Sequence, residues 1–265
     1  MQIQYDKQGS VGIFTLDNPP VNAFTPELHK RFFKLLTDFQ RDPSVKVGIW
    51  TSVGARAFCA GDDIKTQRPE RSHSQIVERY LSPRTEDEPV EYPGWEQRVM
   101  RLERLKPIIA AINGPVMGVG LMYLMNLTEI RLAAPNATFG LPEIKYAMPG
   151  ASGQVRIGRQ LPHVAAMWLA LTGEPFSAQQ ALQYALINEI VEAQDLLKRA
   201  FEVADLIARH PALTIRTEME IYYQAMDMTR EQAISFSEHL ARLQRVAFDT
   251  GAPLSKKIDE QPASS

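Results

Sequence analysis

The sequence predicts an α/β fold in residues 1–195, followed by a helical region in residues 196–265. In the first range, short runs of β-branched and aromatic residues alternate with helical patterns, an order typical of layered α/β domains. After residue 195 almost the whole chain has helical periodicity. The composition, 45% hydrophobic and 23% charged over 265 residues, is that of a globular protein with a large core. We refer to residues 1–195 as the core region and to residues 196–265 as the C-terminal region.

Local patterns predict the first elements of the core region. Strands are expected at residues 3–5 and 11–16, a helix from residue 26 to about residue 39, and a third strand at residues 45–51. Thr25 and Pro26 suit the start of the helix, as its N-cap and its first residue. The third strand is apolar without alternation, which predicts burial on both faces.

A long polar stretch follows at residues 67–92, with several prolines and many charges. We predict a surface excursion with at most one short helix, of the kind that forms a lid or binding loop. Beyond it we expect a helix at about residues 94–105 and strands at residues 108–112, 130–134 and 137–139.

The C-terminal region is expected to hold several helices. Pro211 separates two of them, and Thr229 is placed to cap a third. The polar tail after Gly251 is expected to fray, as chain ends commonly do.

The uncharged stretch at residues 107–128 is long enough to cross a bilayer. Glycine, proline and asparagine residues interrupt it, so the pattern predicts a buried strand, a turn and the start of an apolar helix. We therefore expect no membrane association.

Charge and cysteine content exclude several other classes of protein. A formal net charge of −2 supplies no field that would attract nucleic acid or an anionic membrane. The single cysteine, Cys59, excludes an intrachain disulfide framework. The histidines lack metal-ligand spacing, so no metal is expected. The N-terminal segment lacks the features of a signal peptide, and we expect a cytoplasmic protein that acts on a small molecule.

Two segments combine small residues with a strand end and a helix start. In the first, Ala60-Gly61 allows a ligand close to the backbone, and Asp62 and Asp63 follow at a turn or helix entry. The second, NGPVMGVG at residues 113–120, leads into the apolar helix. The first N–H groups of a helix lack internal partners and can donate to an oxygen that gains negative charge.

Four segments in fixed order carry a family resemblance: FCAGDDIK at residues 58–65, KPIIAAINGP at 106–115, FGLPE at 139–143 and PGASG at 149–153. Together they resemble the signature of the crotonase (enoyl-CoA hydratase/isomerase) family. The resemblance implies a crotonase-type spiral of ββα units. It also implies an acyl-CoA substrate, no tightly bound cofactor because coenzyme A is part of that substrate, and a homotrimer or a dimer of trimers.

The resemblance also assigns roles to residues of the site. It implies that the backbone N–H groups of Ala60 and of Val119, between Gly118 and Gly120, form an oxyanion hole for a thioester enolate. Such preorganised donors stabilise charge that develops in the transition state. Arg56, Ala60, Asp63 and Ile64 are implied to lie along the adenine and phosphates of coenzyme A. For both Asp62 and Asp63, simple capping of a helix is the alternative to a role in the site.

The number of acids in the site bears on the reaction. Hydratases of the family use two glutamates, and the second matches Glu143. The first falls at Met122 when counted from the glycine turn, or at Tyr123 when counted back from Glu129, and neither is a carboxylate. A single glutamate favours an isomerase-like 1,3-proton shift over hydration.

Other interpretations stay open at this point. Tyr123 is a candidate proton donor, with packing in the core as the alternative. Decarboxylation, hydrolysis of a thioester or β-diketone, and a catalytically weak subunit that binds coenzyme A are also compatible with the sequence.

Overall fold

The computed structural model describes residues 3–54, 56–65, 70, 72–81, 94–150 and 157–248. The strands are β1 (Ile3–Gln8), β2 (Val11–Leu16), β3 (Val47–Ser52), β4 (Ile108–Ile112), β5 (Val116–Met117), β6 (Ile130–Ala133), β7 (Thr138–Gly140), β8 (Phe176–Ser177) and β9 (Glu189–Ile190). The α-helices are α1 (Pro26–Arg41), α2 (His73–Leu81), α3 (Trp95–Met100), α4 (Val119–Leu127), α5 (His163–Thr172), α6 (Ala178–Gln183), α7 (Leu196–Ala208), α8 (Ala212–Ala225) and α9 (Arg230–Phe248).

Two sheets organise the core region. The larger has the strand order β1-β2-β3-β4-β6-β9, with β1 antiparallel to β2 and every later pair parallel. The smaller has the order β5-β7-β8. The predicted α/β fold is confirmed, and the six predicted strands lie within a few residues of their predicted ranges. Strands β5, β8 and β9, of two residues each, were not predicted.

Both faces of the large sheet are covered. Helices α1 and α4 contribute to the apolar cluster on one face. On the other face, α7 packs on β3 and β4 through Ala200 and Ala204, which are fully buried. Strand β3 is therefore buried on both faces, as its unbroken apolar pattern predicted. Helix α7 also makes the start of the C-terminal region part of the cover of the sheet.

Helix α1 begins as predicted. The Thr25 side chain accepts a hydrogen bond from the Leu28 N–H at 3.2 Å, and Pro26 is the first helical residue. In the C-terminal region, α8 starts after Pro211, and the Thr229 hydroxyl accepts from the Gln232 N–H at 3.4 Å at the start of α9. The tail after Gly251 lies outside the described residues.

Helix α3 is shorter than the predicted helix at residues 94–105. It ends at Met100, and the chain then runs against α1. There the Gln40 side-chain oxygen accepts from the N–H groups of Leu105 and Lys106, at 2.8 and 3.1 Å. These hydrogen bonds to a distant side chain take the place of hydrogen bonds within a helix. A local sequence pattern does not reveal such a contact.

Of the polar excursion at residues 67–92, the structure describes Glu70 and residues 72–81, which include the one short helix expected, α2. Its predicted role as a lid falls largely on residues outside the described ranges. No helix within those ranges has the length and apolar character needed to span a membrane.

Candidate active site

Residues 57–62 run beside strand β5. The N–H groups of Phe58 and Cys59 both donate to the Pro115 carbonyl oxygen, at 2.9 and 3.1 Å, and the Met117 N–H donates to the Cys59 carbonyl oxygen at 2.9 Å. These bonds bring the first sequence segment alongside the second. The two predicted halves of the site are thus joined by backbone pairing.

Ala60 does not occupy the predicted position of an oxyanion donor. Its N–H donates to the Val21 carbonyl oxygen at 3.0 Å and is therefore used within the fold. In the neighbouring parallel bridge, Phe24 makes both hydrogen bonds, to the residues on either side of Asp62. The Asp62 N–H consequently points away from Phe24, towards the side occupied by residues 115–118.

Val119 retains the geometry of a donor. The chain turns at Gly118, which has φ 55°, and α4 begins at Val119. Val119 is 5% exposed and packs in the apolar core. None of the described residues accepts a hydrogen bond from that N–H, as expected at the first residue of a helix.

Gly120 allows helix α4 to pack on the neighbouring segment. A Cβ at this position would lie 2.6 Å from Cys59 Sγ, closer than real contacts permit. Cys59 is fully buried, and burial raises the pKa of its thiol to about 12. Cys59 is therefore a packed core residue, and Gly120 allows the two segments of the site to come together.

Glu143 is carried to the glycine turn by the smaller sheet. It lies on the 3-10 helix Pro142–Tyr146, which follows β7, and β7 pairs with β5 just before Gly118. A Cβ at position 118 would lie 3.1 Å from Glu143 Oε1 and 3.7 Å from Gly61 Cα. The carboxylate and the two glycine-containing segments therefore meet at one point.

The environment of Glu143 suits proton transfer. The side chain is partly buried, and its Oε2 atom is buried without a hydrogen-bond partner among the described residues. Burial raises the pKa of the carboxyl above its ordinary value, and the nearby charge of Glu96 raises it further. A carboxyl with a raised pKa in a cleft is a candidate acid or base.

Tyr123 lies in the apolar core. It is fully buried, and its hydroxyl is 2.6 Å from His29 Nδ1. Burial raises its pKa well above the ordinary value of 10.0. The structure therefore favours the packing interpretation over the prediction that Tyr123 gives a proton to substrate. His29 was not singled out by the sequence, because its link to Tyr123 spans 94 positions.

Helix α4 also bears on the alignment of the first glutamate. It is continuous from Val119 to Leu127, directly after the glycine turn. This continuity supports counting the position of the first glutamate from the glycine turn. That position is then occupied by Met122, which is 5% exposed. The extra residue then belongs to the link between α4 and β6.

The residues predicted to contact coenzyme A lie on one short segment. Arg56 is exposed, and Ile64 is 68% exposed although apolar. Asp63 accepts a hydrogen bond from the Lys65 N–H at 2.9 Å, which agrees with the capping alternative. Ala60 is partly exposed between them. Their role in binding coenzyme A stays a prediction.

Comparison with known proteins agrees with this geometry. The family model described as enoyl-CoA hydratase/isomerase matches residues 6–245. An (E)-benzylidenesuccinyl-CoA hydratase from Thauera aromatica is 31% identical over 242 residues, covering 91% of this chain and 89% of that protein. A carnitinyl-CoA dehydratase from Proteus mirabilis is 30% identical over 226 residues, covering 85% and 81%.

Solved structures show the same fold. An enoyl-CoA hydratase/isomerase from Mycobacterium paratuberculosis has a TM-score of 0.81 and 28% identity, covering 99% of this chain and 98% of that one. The resemblance noted in the sequence is thus confirmed by a family model, by curated relatives and by structure. The protein is a member of the enoyl-CoA hydratase/isomerase, or crotonase, family.

Proposed function

We propose that this enzyme forms the enolate of an acyl-CoA thioester at the start of helix α4. The Val119 N–H donates to the enolate oxygen, and the Asp62 N–H is directed to the same side. Removing one such donor from an enzyme typically costs about 3–4 kcal/mol of transition-state stabilisation. The observation that carries the proposal is the position of the Glu143 carboxylate against Gly118, immediately before Val119.

Glu143 is the base in this proposal. In an isomerase-like reaction it removes a proton from C2 of a 3-enoyl-CoA, and the electron pair moves into the thioester as an enolate. The same carboxyl then returns a proton at C4, which leaves a 2-enoyl-CoA. One carboxyl group is sufficient, in agreement with Met122 at the first glutamate position.

Hydration or dehydration is the second candidate. The two relatives described above, a hydratase and a dehydratase, favour it. Addition of water to a 2-enoyl-CoA needs one group that activates water and one that protonates C2. Decarboxylation, hydrolysis and a subunit without turnover are the remaining alternatives.

Coenzyme A enters the proposal as part of the substrate. Arg56, Asp63 and Ile64 lie near its adenine and phosphates, with the exposed Arg56 guanidinium suited to a phosphate. An Arg56→Ala variant should raise KM for acyl-CoA and leave kcat nearly unchanged, because the contact is equal in the ground and transition states. A fall in kcat with unchanged KM would contradict this placement.

The test of the proposed function uses the purified protein and a panel of saturated, 2-enoyl, 3-enoyl and 3-hydroxyacyl-CoA substrates. Mass spectrometry identifies the products, and NMR in D2O follows exchange of the C2 proton. We expect turnover of at least one substrate and a loss of at least about 100-fold in Glu143→Gln. Full activity in that variant, or no turnover by the wild type, would sink the proposal.

A further inference from the structure

A chain of hydrogen bonds links the core to the site through His29 of helix α1. The Tyr123 hydroxyl is 2.6 Å from His29 Nδ1, and His29 Nε2 is 3.1 Å from Asp62 Oδ1. Tyr123 is fully buried and His29 is 5% exposed. The Asp62 side chain, in contrast, is 33% exposed. The chain therefore begins in the apolar core and ends on an accessible carboxylate.

Burial indicates which atom is the donor in each hydrogen bond of this chain. Since burial raises the pKa of Tyr123, its phenol keeps its proton. The acceptor within reach is His29 Nδ1, which assigns the remaining ring proton to Nε2. That N–H donates to Asp62 and stabilises the ionised carboxylate.

Aromatic packing holds the histidine in this orientation. The Phe24 ring stacks on His29 with centroids 5.1 Å apart and meets the Tyr123 ring edge-on at 5.2 Å. Phe24 also pairs through its backbone with the residues on either side of Asp62. The imidazole and the carboxylate are therefore fixed by the same residue.

Asp62 lies beside the point where the site converges. It follows Gly61, and a Cβ at position 61 would lie 3.0 Å from the Met117 carbonyl oxygen and 3.6 Å from Gly118 Cα. A Cβ at Gly118 would lie 3.1 Å from Glu143 Oε1. Glu143 and the segment that carries Asp62 thus lie against the same turn.

We propose that the Asp62 carboxylate is the second acid–base group of the site, replacing the glutamate that helix α4 lacks. His29 and Tyr123 are positioning residues that orient Asp62. This inference rests on the proposed function, because it uses the same enolate and the same Glu143. It assigns hydration of a 2-enoyl-CoA, or the reverse dehydration, to the site.

The two carboxyl groups have environments that separate their roles. Glu143 has a buried oxygen without a partner in the described part of the chain, and burial raises the pKa of its carboxyl above the ordinary value. The Asp62 side chain is one-third exposed and accepts the His29 N–H. Paired groups of this kind commonly divide into an acid and a base.

The hydration step balances with these two groups. Asp62 takes a proton from water while the water oxygen forms a bond to C3. The C2–C3 π electrons move into the thioester as the enolate, which the backbone donors stabilise. The enolate collapses as Glu143 gives its proton to C2. Asp62 then loses a proton to solvent and Glu143 gains one, so the net change is the addition of one water.

The test compares two reactions in one variant. Asp62→Asn should lower hydration of a 2-enoyl-CoA by at least about 100-fold. It should lower the 3-enoyl to 2-enoyl shift, which uses Glu143 as its one acid–base group, by a much smaller factor than hydration. Glu143→Gln should lose both reactions. Asp227→Asn is the control, since it removes an exposed carboxylate that binds Arg159 on the surface, and both of its rates should be unchanged.

Each result decides one point. Hydration by Asp62→Asn at the wild-type rate overturns the inference, as does an equal loss of both reactions, which would mean that Asp62 only holds the backbone. A wild type that isomerises but does not hydrate overturns the inference and leaves the proposed function standing. A wild type that acts on no acyl-CoA refutes both.

The positioning role of His29 has a spectroscopic test. Nitrogen-15 NMR of the wild type should show the ring proton of His29 on Nε2, and Tyr123→Phe should lose this preference. His29→Leu should lower the kcat of hydration with little change in KM, and His29→Gln, which keeps a donor, should recover part of it. A proton on Nδ1 in the wild type, or equal hydration in both His29 variants, would contradict the chain of bonds.

Discussion

At the scale of single residues, Glu143 has a raised pKa and lies against the glycine turn at Gly118. The 1,3-proton shift needs its ionised form, so the rate falls as the pH drops through this pKa. Because burial raises the pKa above 4.5, the fall should come at a higher pH than for an exposed glutamate. The pH at which the rate falls is measured from kcat/KM for a 3-enoyl-CoA as a function of pH. A profile that stays level below pH 4.5 would show that Glu143 is not the base.

Gly118 is the residue whose backbone the site depends on most. Its φ of 55° is unfavourable for other residues, by about 1–2 kcal/mol. An added Cβ would also lie 3.1 Å from Glu143 Oε1. Gly118→Ala should therefore lower both the free energy of unfolding and kcat, measured by urea titration and steady-state kinetics.

Gly158 offers a matched control for that substitution. Among the described residues, no heavy atom lies within 4 Å of a Cβ added there, and its φ is not positive. Gly158→Ala should be neutral or stabilising by up to about 1 kcal/mol, with unchanged kcat. Equal effects of the two substitutions would argue against strain at Gly118.

At the scale of elements, helix α1 carries His29 and depends on its cap. Thr25→Ala removes the acceptor of the Leu28 N–H and should lower the free energy of unfolding by about 1 kcal/mol. Thr37→Ala, in the interior of the same helix, is the control and should be neutral or slightly stabilising. Urea titrations of both variants measure the difference, and an equal loss in both would show that the cap contributes nothing.

The elements of the core region were largely predictable because each has a strong local pattern. The third strand is an example, since its unbroken apolar run indicated a covered sheet, and β3 is covered on both faces. Helix α3 is the exception. Its end at Met100 is set by the Gln40 side chain, which lies 65 positions from Leu105 in the sequence.

At the scale of the whole molecule, helix α5 presents an apolar stripe to solvent. Val164, Trp168 and Leu171, at helical spacing, are 76%, 53% and 62% exposed. Such a stripe is typical of a subunit interface, and it supports the proposed trimer or dimer of trimers. We expect Trp168→Glu to lower the mass measured by light scattering to that of a monomer.

Leu206 on helix α7 provides the control for that experiment. It is 49% exposed on a different helix, so Leu206→Glu should keep the mass of the wild type. A monomeric wild type, or an unchanged mass in Trp168→Glu, would remove α5 from the interface.

The sequence by itself determined the α/β fold, the two glycine-containing segments and Glu143, because these depend on local pattern and on the order of short motifs. Only the tertiary structure decided which groups can act. The Ala60 N–H donates to the Val21 carbonyl oxygen, because the direction of an N–H depends on strand pairing. Val119 is the first residue of helix α4, where an N–H has no partner within the helix. The tertiary structure also joined Tyr123, His29 and Asp62 across 94 and 33 positions, a contact between distant side chains that no local pattern encodes.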